Sequence, residues 1–405
     1  VTDSRTEGKA APATDDHRAA VLAGFLGWTL DAFDFFLLVM CLTAIGREFH
    51  KSDAQMAVTL GVTLAFRPAG AFVFGLLADR YGRRLPFMLV LVFYSVMEVL
   101  SGLAPNYATF LVLRALFGVG MGGEWGVGAS LAMEKVPPRL RGLLSGVLQQ
   151  GYAAGYLLAA VCYYFLFGRL GWRPLFFLGG LPALLSVFVA FRVKESEVWR
   201  KTRHQNWRDL CRSALSHWKL FLYIAALMTG MNLASHGTQD MFPTLLERKW
   251  HFGPEQRSAL TAFSMVGAIF GGTLFGLLSD WWGRRRAMVT ALLAAVLVVP
   301  LWAFAPSVAW LWVGAFLIQF LVQGAWGVTP AHLAELSPDS VRGFLPGFGY
   351  QCGVAVASTA SYAEAVMARR IGYAAAMAGV AASVFLLAAV LTAVGRERRA
   401  VTFGE

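Results

Sequence analysis

The sequence predicts an all-α polytopic membrane protein, with twelve transmembrane helices in two pseudo-symmetric six-helix bundles. Three observations carry that prediction. Of the 405 residues, 57% are hydrophobic and only 15% charged, and the mean hydropathy is +0.56. A soluble globular chain carries roughly 25% charged residues, and so few charges cannot cover a soluble body of this size, whereas lipid can. The apolar residues fall into segments that suit about 20 residues per span. The chain also repeats itself at one constant offset.

The spans are expected near 20–45, 55–78, 85–103, 107–134, 143–166 and 172–192, then near 218–246, 257–278, 287–304, 308–335, 343–366 and 372–394. This divides the chain into an N-terminal tail (1–17), a first bundle (18–193), an inter-domain loop (194–217), a second bundle (218–395) and a C-terminal tail (396–405). The stretch from Val1 to Arg18 is polar and shows no cleavable signal pattern. Lys and Arg concentrate in alternate loops: Arg80, Arg83 and Arg84; Lys135, Arg139 and Arg141; seven basic residues from Lys194 to Lys219; Arg284 to Arg286; and Arg342. That bias places both termini and the even loops in the cytoplasm, in a multi-pass protein of the cell membrane. The net charge of +11 is thereby a topology signal, and no nucleic-acid partner is expected. Cys41, Cys162, Cys211 and Cys352 lie far apart and make no metal spacing or expected disulfide.

The repeat sets Gly75-Leu-Leu-Ala-Asp79-Arg80-Tyr-Gly82-Arg83-Arg84 against Gly276-Leu-Leu-Ser-Asp280-Trp-Trp-Gly283-Arg284-Arg285, an offset of 280 − 79 = 201. The same offset pairs Trp125 with Trp326, Glu134 with Glu335, Pro137 with Pro338, Arg141-Gly142 with Arg342-Gly343, and Gln150 with Gln351. A gapless repeat from Gly75 to Gln150 indicates a duplicated six-helix unit, with a solute site between the halves near the midplane. The repeated loop resembles the signature loop of the major facilitator superfamily. A carboxylate at such a helix end can accept hydrogen bonds from the free N–H groups of a neighbouring helix start, and an arginine beside it can bridge to carboxylates. Asp79, Arg83, Asp280 and Arg284 are therefore gating candidates.

Ionisable residues inside spans are costly and mark function by default. Asp31 and Asp34 on helix 1 are spaced to face one side, and Arg67 on helix 2 lies about 18 Å from Asp79 along the helix axis, which brings it level with Asp31. An Asp31–Arg67 pair is expected, with Asp31, Asp34 and Glu124 as proton-coupling candidates. Glu98, Arg114, His332 and Glu364 read as nearer helix ends or off the transport path. Helix 7 carries Asn232, Ser235, His236, Gln239 and Asp240 at i, i+3, i+4, i+7 and i+8, one polar stripe that must face a cavity or another helix.

That stripe matches the pattern N-x-x-(S/T)-H-x-(S/T)-Q-D-x-x-x-T at Asn232, Ser235, His236, Thr238, Gln239, Asp240 and Thr244. It resembles helix 7 of the lactate permease-type monocarboxylate:proton symporters, in the sialate:proton symporter branch of the superfamily. Arg67-Pro68-x-Gly70 and Trp28-Thr-Leu-Asp31-Ala-Phe-Asp34 are similar to helices 2 and 1 of that branch. The resemblance implies a proton symporter importing a small monocarboxylate such as lactate or pyruvate. Arg67, Asn232, Ser235, His236, Gln239 and Asp240 would bind the substrate, and Asp31, Asp34, Glu124 or Asp240 would carry the proton. No cofactor or metal is expected, protons being the coupling ion, and the partners are a small carboxylate, protons and membrane lipid, acting on a monomer.

Three alternatives stay open. A larger organic acid such as sialate or an aromatic acid could be carried, although Phe33, Phe35 and Phe242 favour a small cavity if they face it. An exporter or antiporter lacks support, since Gly151-Tyr-Ala-Ala-Gly155 on helix 5 has no proline. A membrane enzyme or sensor would need a nucleophile with an adjacent base, or an appended signalling domain, and neither is evident. The halves agree at the signature loops and differ at the midplane, which suggests coupling chemistry in the first half and substrate selection largely in the second.

Overall fold

The computed structural model describes residues 14–51, 53–202, 208, 212, 215–239 and 242–403. Most of the predicted N-terminal tail, part of the inter-domain loop and Asp240 lie outside the described residues. The first half consists of α1 (Thr14–Glu48), α2 (Asp53–Tyr81), α3 (Arg84–Gly102), α4 (Tyr107–Lys135), a segmented α5 and a segmented α6. In α5, Arg141–Gln149 and Gly151–Cys162 are followed by a π-helical stretch at Tyr163–Phe167 and a last turn at Gly168–Leu170. In α6, Trp172–Leu178 and Leu181–Arg192 meet at Gly179 and Gly180, with Pro182 starting the second piece. The second half repeats the plan with α7 (Trp218–Gln239), α8 (Pro254–Trp282), α9 (Arg284–Ala303), α10 (Val308–Leu336), α11 (Leu345–Ala357, then Ala360–Ile371) and α12 (Tyr373–Val394). Helix resumes after α7 over Phe242–Trp250.

Among the described residues, nine helices are each long and apolar enough to cross a membrane. Helices α5, α6 and α11 are each built of more than one piece, and α7 carries the polar stripe; breaks and polar groups of this kind must be covered by protein rather than lipid.

Small residues set how closely the helices approach. In α4, Gly118 and Gly122 lie against the backbone carbonyls of Thr63 and Arg67 on α2, while Gly70 of α2 lies against Val119. The second half repeats this: Gly271 of α8 meets Phe320 of α10, and Gly327 meets Gly272. Such contacts, with no side chain between the helices, are how membrane helices pack without a hydrophobic driving force. Any Cβ at position 122 would collide with the backbone of Arg67. Gly122→Ala is therefore expected to lower stability by about 1–3 kcal/mol through overpacking, read as a drop in thermal midpoint in detergent. An unchanged midpoint would show that α2 and α4 can spread.

Each signature loop is a very short connection. Only Gly82 and Arg83 separate α2 from α3, and only Gly283 separates α8 from α9. Gly82 has φ +103° and Gly283 φ +99°, a left-handed backbone that a side chain would oppose. A carboxylate then caps the helix that follows. Glu195 accepts from the N–H groups of Arg83 and Arg84 (2.9 and 3.1 Å), and Glu397 from those of Arg284 and Arg285 (2.8 and 2.9 Å). The segment after each half thus folds back onto that half's own signature loop.

Candidate functional site

Two constellations lie where the halves meet: a midplane cavity and a charged clasp at the signature-loop end.

The cavity is small, about 40 Å³, and is bounded by α1, α2, α4 and α5 on one side and α7, α10 and α11 on the other. Asp31 and Arg67 line it from the first half, and Asn232, Ser235 and His236 from the second. Its remaining wall is largely aromatic, with Trp28, Phe35, Tyr152, Trp326 and Tyr350. Tyr350 stacks on Trp125 (centroids 4.6 Å apart), meets Trp326 edge-on at 5.7 Å, and lies 5.9 Å from the Arg67 guanidinium carbon. Both oxygens of Asp31, and Nε and Nη2 of Arg67, are buried without a protein hydrogen-bond partner among the described residues. The expected Asp31–Arg67 hydrogen-bonded pair is therefore not formed. The two face the same cavity instead.

Other expectations are corrected in the same way. Asp34 does not line the cavity. It is buried on the bundle side of α1, where a Cβ at Gly179 would lie 2.9 Å from its Oδ1 and against Glu98. Three residues along a helix rotate a side chain by about 60° from the starting direction, enough here to send Asp31 to the cavity and Asp34 inward. Glu98, set aside on sequence, is buried in an ion pair with Arg114 beside Asp34. Glu124 is buried on α4 against Gly27 of α1, outside the cavity wall. Phe33 and Phe242 are core residues, and of the three phenylalanines considered only Phe35 reaches the cavity.

The α7 stripe divides by depth. Asn232 donates back to the Met228 carbonyl at 2.8 Å. Gln323 on α10 donates to Ser235 at 3.4 Å. One turn further, Gln239 donates to Gln319 Oε1 at 2.9 Å and accepts from the Tyr152 hydroxyl of α5 at 3.4 Å. Asn232, Ser235 and His236 thus form cavity wall, whereas Gln239 ties α7 to α10 and to the other half. The structure also adds Gln319 and Gln323, spaced i, i+4 on α10, a polar pair visible in the sequence and not used there.

At the signature end the carboxylates act across the halves. Asp79 of α2 accepts from the backbone N–H groups of Gly343 and Phe344 (2.9 and 3.0 Å), just before α11 begins. Asp280 of α8 accepts from Gly142 and Leu143 (2.9 and 3.0 Å) in the first turn of α5. Each aspartate thereby satisfies orphan donors at a helix start in the opposite half. Arg83 holds Asp79 at 2.5 Å and Glu134 at 3.0 Å, and Arg284 holds Asp280 at 2.7 Å and Glu335 at 2.9 Å. Glu335 also accepts from Arg141 of the first half at 3.1 Å, while its repeat partner Glu134 lies 4.0 Å from Arg342. The clasp therefore has eight charged members in two sets related by the 201-residue offset. Four of them, Glu134, Arg141, Glu335 and Arg342, were visible in the sequence only as repeat matches or, for the two arginines, also as loop charges.

A pseudo-symmetric pair of six-helix bundles, joined at a polar cavity and by a repeated charged loop, defines a membrane transporter rather than an enzyme. Comparison with known proteins agrees. The Major Facilitator Superfamily model matches residues 24–250, and that of the sugar (and other) transporters matches residues 218–395. The chain belongs to the major facilitator superfamily. It is 30% identical to a probable 4-methylmuconolactone transporter of Cupriavidus pinatubonensis, over 88% of this chain and 85% of that one. It is 27% identical to a carboxylic acid transporter protein homolog of Saccharomyces cerevisiae (93% of this chain, 67% of that one). Its identity to the sialic acid transporter NanX of Escherichia coli is also 27% (93% and 92%). Among solved structures, the human organic anion transporter MFSD10 superposes with a TM-score of 0.78 at 17% identity, covering 93% of this chain and 99% of that one. The proton:xylose symporter XylE gives the same score and identity over 97% and 99%. At that identity the two structures speak to the fold alone.

Proposed function

We propose that the protein is a proton-coupled symporter that imports a small monocarboxylate of the lactate or pyruvate kind by alternating access. The observation that carries this reading is Arg67: a buried guanidinium with two free nitrogens, lining the same cavity as Asp31. Guanidinium is the best bidentate partner for a carboxylate. Relatives named for carboxylic acid, muconolactone and sialic acid transport support the same substrate class.

In this scheme the substrate carboxylate binds Arg67, and Asn232, Ser235 and His236 orient it. Gln239 acts at the edge of the site, where it is tied to Gln319 and Tyr152. Away from the clasp, the described residues of the first half bury four carboxylates (Asp31, Asp34, Glu98 and Glu124) against two arginines (Arg67 and Arg114). Surplus negative charge in a low dielectric favours taking up protons before the cavity closes. Asp31 is the carrier best placed to sense the substrate, since it shares the cavity with Arg67, and Asp34 and Glu124 are the reserve acids of the same cluster. Asp79, Arg83, Asp280 and Arg284 latch the signature end, which the arginine distribution assigns to the cytoplasm, and their release opens the inward path.

The aromatic wall favours a second reading, a larger planar acid, because the phenylalanines expected to restrict the cavity mostly lie elsewhere. Purified protein in proteoliposomes with an acidic exterior is expected to accumulate labelled lactate or pyruvate and to lose accumulation when the gradient is collapsed. Selective accumulation of aromatic acids would move the assignment to the second reading, and no gradient-driven uptake of any carboxylate would remove it. Asp31→Asn is expected to retain substrate exchange while losing accumulation driven by the pH gradient. A variant that still accumulates would exclude Asp31 as the carrier.

A further inference from the structure

We propose that the segment following α12 is a strap that locks the signature end shut, by placing the ring of Phe403 between one clasp arginine from each half. The guanidinium carbon of Arg141 lies 3.8 Å from the Phe403 ring centroid and that of Arg342 lies 3.7 Å from it. At such distances each cation must sit over a ring face, and the two must occupy opposite faces, since one face cannot hold both. Arg141 belongs to α5 in the first half, and Arg342 precedes α11 in the second. The ring thus separates two like charges that would otherwise confront each other across the interface, and its π faces attract both.

Two further contacts fix the strap. Arg141 donates to the Val401 carbonyl at 2.9 Å, and Arg399 donates to the Trp281 carbonyl at 2.5 Å. Phe403 also packs against a buried apolar group that draws on both halves, including Val21, Met133 and Leu148 from the first and Ala331 and Ala334 from the second. The strap must leave whenever the signature end opens, because Arg141 and Arg342 then part. It therefore biases the transporter toward the state closed at this end, independently of what is carried.

Hydrogen exchange of the full chain in detergent, without substrate, tests this separately from the transport reading. The peptides to follow contain Gly142–Leu143 and Gly343–Phe344, whose amides are protected by Asp280 and Asp79 only while the clasp is closed. Phe403→Leu keeps apolar packing and loses the ring; it is expected to speed exchange in these peptides by about tenfold and to leave α3 and α9 interiors unchanged. Phe403→Tyr keeps both faces and is expected to stay close to wild type. Unchanged exchange in Phe403→Leu would overturn the strap. So would acceleration spread evenly over all helices, or a tyrosine variant as unprotected as the leucine one.

Discussion

Arg67→Lys is expected to lower kcat/KM for carboxylate uptake by about a hundredfold while leaving the protein folded. Lysine keeps the positive charge near Asp31 and fits the same span. It cannot present two parallel donors to a carboxylate, and it loses the planar contact with Tyr350, 5.9 Å from the guanidinium carbon. A bidentate, desolvated arginine–carboxylate contact replaced by a point charge costs about 2–3 kcal/mol, which is the stated factor. Initial uptake rates across a substrate concentration series measure it, with the thermal midpoint as control for folding. A lysine variant at wild-type kcat/KM would take Arg67 out of the binding role, and the cavity would then need another anion partner.

Glu335→Ala is expected to be the most destabilising single change at the clasp, by about 3–5 kcal/mol, because it leaves buried cations without their counter-ion. Glu335 accepts from Arg284 through Nε and Nη2 and from Arg141 of the other half. Its repeat partner Glu134 accepts twice from Arg83 (3.3 and 3.0 Å) and reaches Arg342 only at 4.0 Å. The inter-half part of the clasp is therefore stronger on the Glu335 side, and Glu134→Ala is expected to cost less. Thermal unfolding of both variants gives the ranking, and uptake is expected to fall with it. Equal losses would mean that the extra bond to Arg141 contributes nothing. A larger loss for Glu134→Ala would reverse the asymmetry.

The clasp was the more legible of the two constellations. Four of its eight charged members lie in a contiguous ten-residue motif present twice, and Asp79 and Asp280 make the helix-start contacts that their position at helix ends demands. The cavity was legible only in part. Arg67, Asp31, Asn232, Ser235 and His236 stand out because a charged or polar group in a span is costly. The aromatic residues of the wall carry no such signal, since Trp28, Tyr152, Trp326 and Tyr350 suit lipid, core and cavity equally well. Asp34 shows the limit from the other side. It is as polar as Asp31 and one turn away, yet it joins Glu98 and Arg114 in the bundle.

What the sequence determined by itself is whatever follows from one-dimensional pattern: a charge-poor chain that needs lipid, spans of the right length, a 201-residue repeat that implies two like halves, and the residues too polar to be there without purpose. Tertiary structure alone decided which of those residues meet. The direction in which a side chain leaves a helix depends on small rotations and on neighbours tens to hundreds of positions away. So do the divergence of Asp31 from Asp34, the engagement of Gln239 with Gln319 rather than with the cavity, and the recruitment of Arg141 and Arg342 to the clasp. The return of Phe403 to lie between those two arginines has the same origin: a contact between residues 403, 141 and 342 is written in packing, where no local periodicity can record it.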